Sequence, residues 1–394
     1  MTKYSSLVKW RKHLLSPVEG SDWASEMTFN PAIIRDPDTG RIHMLTRTIG
    51  PYPQARLEGR EDPVYPSFFG YGWSDDGENF EFDLSRPALA PAVHFEKEDI
   101  YIRDIDGNLV PDYTNGSLQD PRLFFMEGRC YLTAACRMFP SGPSWKIDCP
   151  TQCTPKWALG EENPFPTQKN PTVNVLYEVD LNALDAKDYD NAFRYVTILT
   201  QPEMGEDRDV FFFPKKMKID GEECYVLIHR PVRPDNYGFD DNRPCIAFAA
   251  AKDLRDFGKG NVVRRILFLR PDLDWQKERV AGSVAPIDLG NGEWLFNYHA
   301  KKDAIQGYAQ SFMILQEQEN DFPAIKHICA EPMIVPEETW EMPAKFSIPC
   351  LFTCGLIEYD GDLLCSYGVA DQNIGLLRID YPKLMEVLRR CGEE

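Results

Sequence analysis

One unit recurs five times along this chain: an apolar run, a tight polar turn ending in glycine, then a second apolar run. The copies are AIIRDPDTGRIHMLTRT, RLFFMEGRCYLTAACR, FFFPKKMKIDGEECYVLIHRP, APIDLGNGEWLFNYHA and GLIEYDGDLLCSYGVA. Their turns are Thr39-Gly40, Glu127-Gly128, Asp220-Gly221, Asn291-Gly292 and Asp360-Gly361. These are the residue types a short β-hairpin needs, because the backbone must enter positive φ there. A further strand-like segment follows each hairpin (FGYGWSDDGENFEF, VNVLYEVDL, CIAFAAAKDLRDF, YAQSFMILQ and NIGLLRIDY). Three or four strands per unit, five units and few helical periods predict an all-β fold, a five-bladed β-propeller. The 394 residues then form a single domain, 1–394. Helical spacing of apolar residues in SSLVKWRKHLL and YPKLMEVLRRC predicts an N-terminal helical extension over 1–20 and a C-terminal helix over 382–394. The acidic, proline-rich stretches 86–114 and 140–172 are too long for hairpins and are expected to build the rim of a pocket.

The net charge of −19, from 43 basic and 62 acidic residues, repels nucleic acid and anionic lipid and argues against either as a partner. An anionic ligand would need a local cluster of cations working against the overall field. No stretch of apolar residues is long enough for a membrane span, and MTKYSSLVKWRKHLL lacks the apolar core of a signal peptide. The expected location is therefore the cytoplasm. Most of the 11 cysteines, Cys130, Cys136, Cys224, Cys245, Cys350 and Cys365 among them, sit in apolar runs and read as small buried hydrophobes in a reducing compartment. Cys149 and Cys153 have no second pair or nearby histidines, so no metal and no cofactor is expected. The fragments DPDTG and DDGEN lack the ligand spacing of calcium loops and read as turns. The N-terminal segment offers a contact surface for a homo-oligomer.

In a propeller the inner strands meet around one axis, so residues at equivalent strand ends converge. Those positions hold Asn30 and Arg47 in the first unit, and Asp120, Arg122 and Arg137 in the second. The third supplies Asp207, Arg208, Asp209, Lys216, His229 and Arg230; the fourth His299 and the fifth Asp371. Acids and several cations at equivalent positions suit an anionic or sugar ligand. Tyr71, Trp73 and Tyr298 are candidate faces for a sugar ring, although aromatics on strands more often fill a core.

The motifs NPAIIRDPDTGRIHMLTR, DPRLF, DRDVFFFPKK, LIHRP, YHA and LFTCGLIEYDGDLLCSYGVADQNIGLLRID occur in an order that resembles glycoside hydrolase family 130. That family comprises β-mannoside phosphorylases and some β-mannosidases on five-bladed propellers. The resemblance implies that Asp120 is the single general acid, relaying its proton through a sugar hydroxyl. A carboxyl in that role is expected to have a raised pKa. The resemblance further implies that Arg137, Lys216 and His229, with the adjacent Arg230, bind phosphate. Asn30, Arg47, Asp209, His299 and Asp371 are implied to contact sugar, with Arg122 orienting Asp120. An inverting hydrolase needs a second carboxylate as base, whereas a phosphorylase needs cations to hold phosphate in line. The expected activity is therefore phosphorolysis of a β-mannoside oligosaccharide by inorganic phosphate, giving α-mannose 1-phosphate. The alternatives are a hydrolase using Glu203, Glu206 or Asp207 as base, and a non-catalytic sugar-binding propeller. This chain departs from the common family pattern at Gln119, where Glu usually precedes Asp-Pro-Arg, and at FPKK, where Pro-Glu-Lys is usual.

Overall fold

The computed structural model describes residues 3–51, 67–91, 101–114, 116–137, 172–342 and 349–391. Each predicted hairpin is present. At Glu127-Gly128, Asp220-Gly221, Asn291-Gly292 and Asp360-Gly361 both turn residues have φ between 48° and 86°, the geometry whose twist matches that of the flanking strands.

Successive hairpins assemble into five antiparallel sheets, the blades of a β-propeller. The innermost strands are Met27–Arg35, Ser117–Met126, Asp207–Phe212, Arg279–Gly282 and Leu351–Tyr359. In the third and fourth blades the inner edge is interrupted, and the short strands Met217–Ile219 and Ile287–Gly290 continue the pairing. Alternating apolar side chains on both faces of each blade pack against the next one. Phe213 of the third blade, for example, meets Trp294 of the fourth edge-on at 5.4 Å, both buried. A helix over Tyr381–Arg390 follows the last blade, as expected, and begins on an Asp380 side chain that accepts a hydrogen bond from the Lys383 backbone.

The predicted N-terminal helix is not found. Ser5–Leu7 forms one 3-10 turn, and Val8–Leu15 is a strand. It pairs antiparallel with Asn373–Ile379, so the start of the chain supplies the outer strand of the fifth blade and closes the ring. The reason is tertiary: the last blade would otherwise expose an unpaired edge, and pairing with it outweighs a weak local preference. The closure is anchored by Arg11, whose Nη1 donates to both oxygens of the fully buried Glu341 carboxylate at 2.8 and 2.9 Å.

All six of the cysteines singled out above are free and buried. Cys329 and Cys391 instead form a disulfide, with Cα atoms 5.1 Å apart, tying the C-terminal helix to the fourth blade. Cys149 and Cys153 lie outside the described residues, as does nearly all of the 140–172 stretch. In the 86–114 stretch, Tyr101–Arg103 and Leu109–Pro111 form a small hairpin of their own. Among the described residues no helix is long and apolar enough to cross a membrane.

Candidate active site

Three inner strands share one local irregularity. Pairing slips between Phe29 and Ala32, between Gln119 and Arg122, and between Arg208 and Phe211. At each slip one polar residue takes positive φ: Asn30 at 46°, Asp120 at 50° and Asp209 at 54°. A bulge of this kind turns a side chain out of the strand's alternation. Here it swings one polar group from each of three blades towards the axis. Left-handed backbone at non-glycine residues is costly, and its repetition at equivalent places marks a functional centre.

The three groups border a cavity of about 380 Å³ on the axis, together with Arg47, Arg208, Arg230 and Asp371. Asp120 is its hub. The Oδ1 atom accepts from Asn30 Nδ2 at 2.7 Å and Arg47 Nη1 at 2.9 Å. On the other side, Oδ2 lies 3.8 Å from Arg208 Nη1. Arg122 reaches the Asp120 backbone carbonyl at 3.4 Å and donates from Nη2 to Asp209 at 2.8 Å. The second oxygen of Asp209 accepts from Arg230 Nε at 2.7 Å.

Burial alone would raise the pKa of Asp120, but Arg47, Arg208, Arg122 and the Asn30 hydrogen bond outweigh it and hold the carboxyl below its ordinary value. This reverses the expectation of a raised pKa: without ligand, Asp120 is a carboxylate. The reason is that it faces guanidinium groups from three blades, a convergence invisible in the local sequence. Burial also opposes ionisation of Asp209, and again the guanidinium groups of Arg230 and Arg122 prevail and hold it low. Asp371 behaves oppositely, pushed up mainly by burial and further by the nearby Asp120 charge. Its Oδ1 accepts a hydrogen bond from the Cys350 thiol at 3.6 Å.

Of the residues expected from sequence, Asn30, Arg47, Asp120, Asp209, Arg230 and Asp371 line the cavity. Arg122 lies directly behind Asp120 and Asp209, fully buried. His299 is buried against Phe352 at 4.4 Å, with Nε2 3.8 Å from Asp209, and supports the site rather than lining it. Its Nδ1 pairs with Ser283 Oγ at 3.0 Å, and burial drives its pKa down to about 3, so the ring is neutral. His229 points away from Arg230, as neighbours on a strand do, and its Nδ1 meets Asp207 at 2.7 Å. Arg137 ends its strand opposite Ser117, at the Asp120 end of the blade; its side chain lies outside the described residues.

Neither His229 nor Lys216 lines the cavity, and Lys216 lies at the far end of its blade. Its Nζ sits 3.9 Å from Glu127 and 4.4 Å over the Tyr225 ring. Glu127 is the turn at the far end of the Asp120 strand, roughly 20 Å away at the usual rise per residue. Tyr71 and Tyr298 are fully buried core, and Trp73 packs on Tyr71 at 5.4 Å.

The structure adds lining residues that sequence reasoning left without a role. Arg208 had appeared only among the strand-end candidates. Arg279 opens the inner strand of the fourth blade, a four-residue strand too short to be noticed. Phe29, Tyr308 and Phe352 supply aromatic surface, and Cys350, read above as a small buried hydrophobe, also lines the cavity. Their signal was position: each stands at a strand end facing the same mouth as Asp120.

Comparison with known proteins agrees with this architecture. A family model described as β-1,4-mannooligosaccharide phosphorylase matches residues 167–390, more than half of the chain. The β-1,2-mannobiose phosphorylase of Listeria innocua is 28% identical over 323 residues, covering 78% of this chain and 83% of the relative. The β-1,4-mannooligosaccharide phosphorylase of Ruminococcus albus is 23% identical over 261 residues, covering 65% and 61%. Among solved structures, the Listeria innocua enzyme in complex with β-1,2-mannobiose superposes with a TM-score of 0.58 at 18% identity, over 98% of both chains. A glycosyl hydrolase from Bacteroides ovatus gives 0.59 at 15% identity, over 94% of this chain and 92% of the other. At those identities the structures establish the shared fold; the family match goes further, and this chain belongs to glycoside hydrolase family 130.

Proposed function

We propose that this protein is an inverting phosphorylase that cleaves β-mannosides with inorganic phosphate and releases α-mannose 1-phosphate. The observation that carries the reading is the company Asp120 keeps: a carboxyl held by Asn30 and Arg47 in an axial cavity that Arg208 and Arg230 also line. Two of the other acids lining it are committed to cations, and the third, Asp371, accepts from the Cys350 thiol. Asp209 is held between Arg122 and Arg230, and Glu206 is bonded to Arg208. Asp207, one of the candidate bases, is buried against His229.

In this reading phosphate enters among Arg208, Arg230 and Arg279, with Arg137 as a further cation from the second blade. Its negative charge offsets the field that keeps Asp120 ionised, so Asp120 takes up a proton as phosphate binds. Asp120 then passes that proton, through a sugar hydroxyl, to the glycosidic oxygen. The C1–O bond to the leaving sugar breaks while a phosphate oxygen bonds C1 from the opposite face, which inverts the anomeric centre. Hydrogen phosphate loses its proton overall, and the departing sugar alcohol gains one. Asn30, Arg47 and Asp371 hold sugar hydroxyls, while Phe29 and Phe352 give the ring an apolar wall. No cofactor enters the scheme.

The test is to incubate the protein with β-1,2- and β-1,4-mannobiose, with and without phosphate, and to assay mannose 1-phosphate. Phosphate-dependent release is expected, and Asp120→Asn should lower kcat by about 10²–10⁴-fold, the usual worth of a general acid. Equal turnover to free mannose without phosphate would overturn the reading.

A further inference from the structure

The place where this chain leaves the common family pattern, Gln119, lies next to the cavity. Its side chain is buried, and a chain of hydroxyls sets which way the amide faces. Ser67 Oγ donates to the Leu118 carbonyl at 2.6 Å, so Ser117 Oγ must donate to Ser67 across their 2.8 Å contact. Ser117 Oγ is then free to accept from Gln119 Nε2, 3.0 Å away. That leaves the amide oxygen for Arg208, whose Nη1 donates to it at 2.9 Å while lying 3.8 Å from Asp120. The remaining edges of the guanidinium are held by Glu206 at Nε and Thr172 at Nη2.

These contacts treat the two sides of Arg208 differently. Glu206 is half-exposed, where solvent weakens its pull on the cation. Gln119 is buried behind the cavity-lining Arg208 and Glu206, where a carboxylate would be poorly screened and would neutralise Arg208 strongly. We propose that Gln119 sets the affinity of this site for its anionic co-substrate: as a neutral acceptor it positions Arg208 without cancelling its charge. The inference rests on the phosphorolysis reading and adds a positioning residue to it.

Three proteins test it: the unaltered chain, Gln119→Glu and Gln119→Leu. Calorimetric titration with inorganic phosphate gives binding directly, and steady-state kinetics give KM for phosphate and for mannoside separately. Gln119→Glu keeps a hydrogen-bond acceptor for Arg208 but adds a buried charge. It should bind phosphate at least about tenfold more weakly, raising KM for phosphate while KM for mannoside stays within about twofold. Gln119→Leu loses the acceptor but adds no charge, and should weaken phosphate binding by no more than about threefold. A structural role alone would reverse that order, because Leu abolishes the contact that Glu preserves. Phosphate binding by Gln119→Glu as tight as in the unaltered chain, or a greater loss in Gln119→Leu, overturns the proposal and leaves phosphorolysis standing. An unaltered chain that neither binds nor requires phosphate overturns both.

Discussion

Asp209→Asn is the sharpest probe of how the cavity is held together. One carboxylate serves two cations, accepting from Arg122 at 2.8 Å and from Arg230 at 2.7 Å. The side chains of Asp209, Arg122 and Arg230 are only 1%, 2% and 5% exposed. The substitution keeps the shape, but it removes the negative charge and turns an amide NH2 towards one of the guanidinium groups. Breaking a buried pair from one side costs about 3–5 kcal/mol, because the orphaned charge stays desolvated. Arg122 retains its contacts to the Asp120 carbonyl and the Cys354 thiol, so we expect a single such penalty rather than two. The assay is chemical unfolding of both proteins across pH. The folded-state pKa of Asp209 lies below its unfolded value, so its contribution is fully present above about pH 4. The gap between the proteins should stay wide at neutral pH and narrow as pH falls through the depressed folded pKa. A loss under about 1 kcal/mol at neutral pH, or a gap that widens on acidification, would refute the reasoning.

Arg11→Met should destabilise the protein by about 3–5 kcal/mol in denaturant titration, because it strands the buried Glu341 carboxylate where the N-terminal strand closes the ring. Gly368→Ala should lower turnover and cost about 1–3 kcal/mol, since its methyl would stand 2.0 Å from Asn30 Oδ1 and displace the partner of Asp120. An unchanged kcat would show that Asn30 does not position the acid. Lys216→Ala should leave KM for phosphate within about twofold, because the ammonium lies at the far end of the blade beside Glu127. A tenfold rise would mean that Lys216 reaches the cavity after all.

Much of this protein was legible before any coordinates. Hairpins are local: Glu127-Gly128 or Asp360-Gly361 between apolar runs specifies its turn through backbone sterics alone, and five such turns imply five blades. Asp120, Asn30, Arg47, Asp209, Arg230 and Asp371 could be nominated because strand ends in a ring converge by symmetry. Other properties depend on which distant groups become neighbours. Val8–Leu15 reads as a helix until the open edge of the last blade is there to pair with it. Lys216 looks like a phosphate ligand until strand length carries it to the opposite end. Asp120 was expected to be protonated, yet arginines from the first, second and third blades hold it as a carboxylate. Local steric preferences are written in a few adjacent residues, whereas edge pairing and electrostatic fields sum over partners that only the closed ring brings within reach.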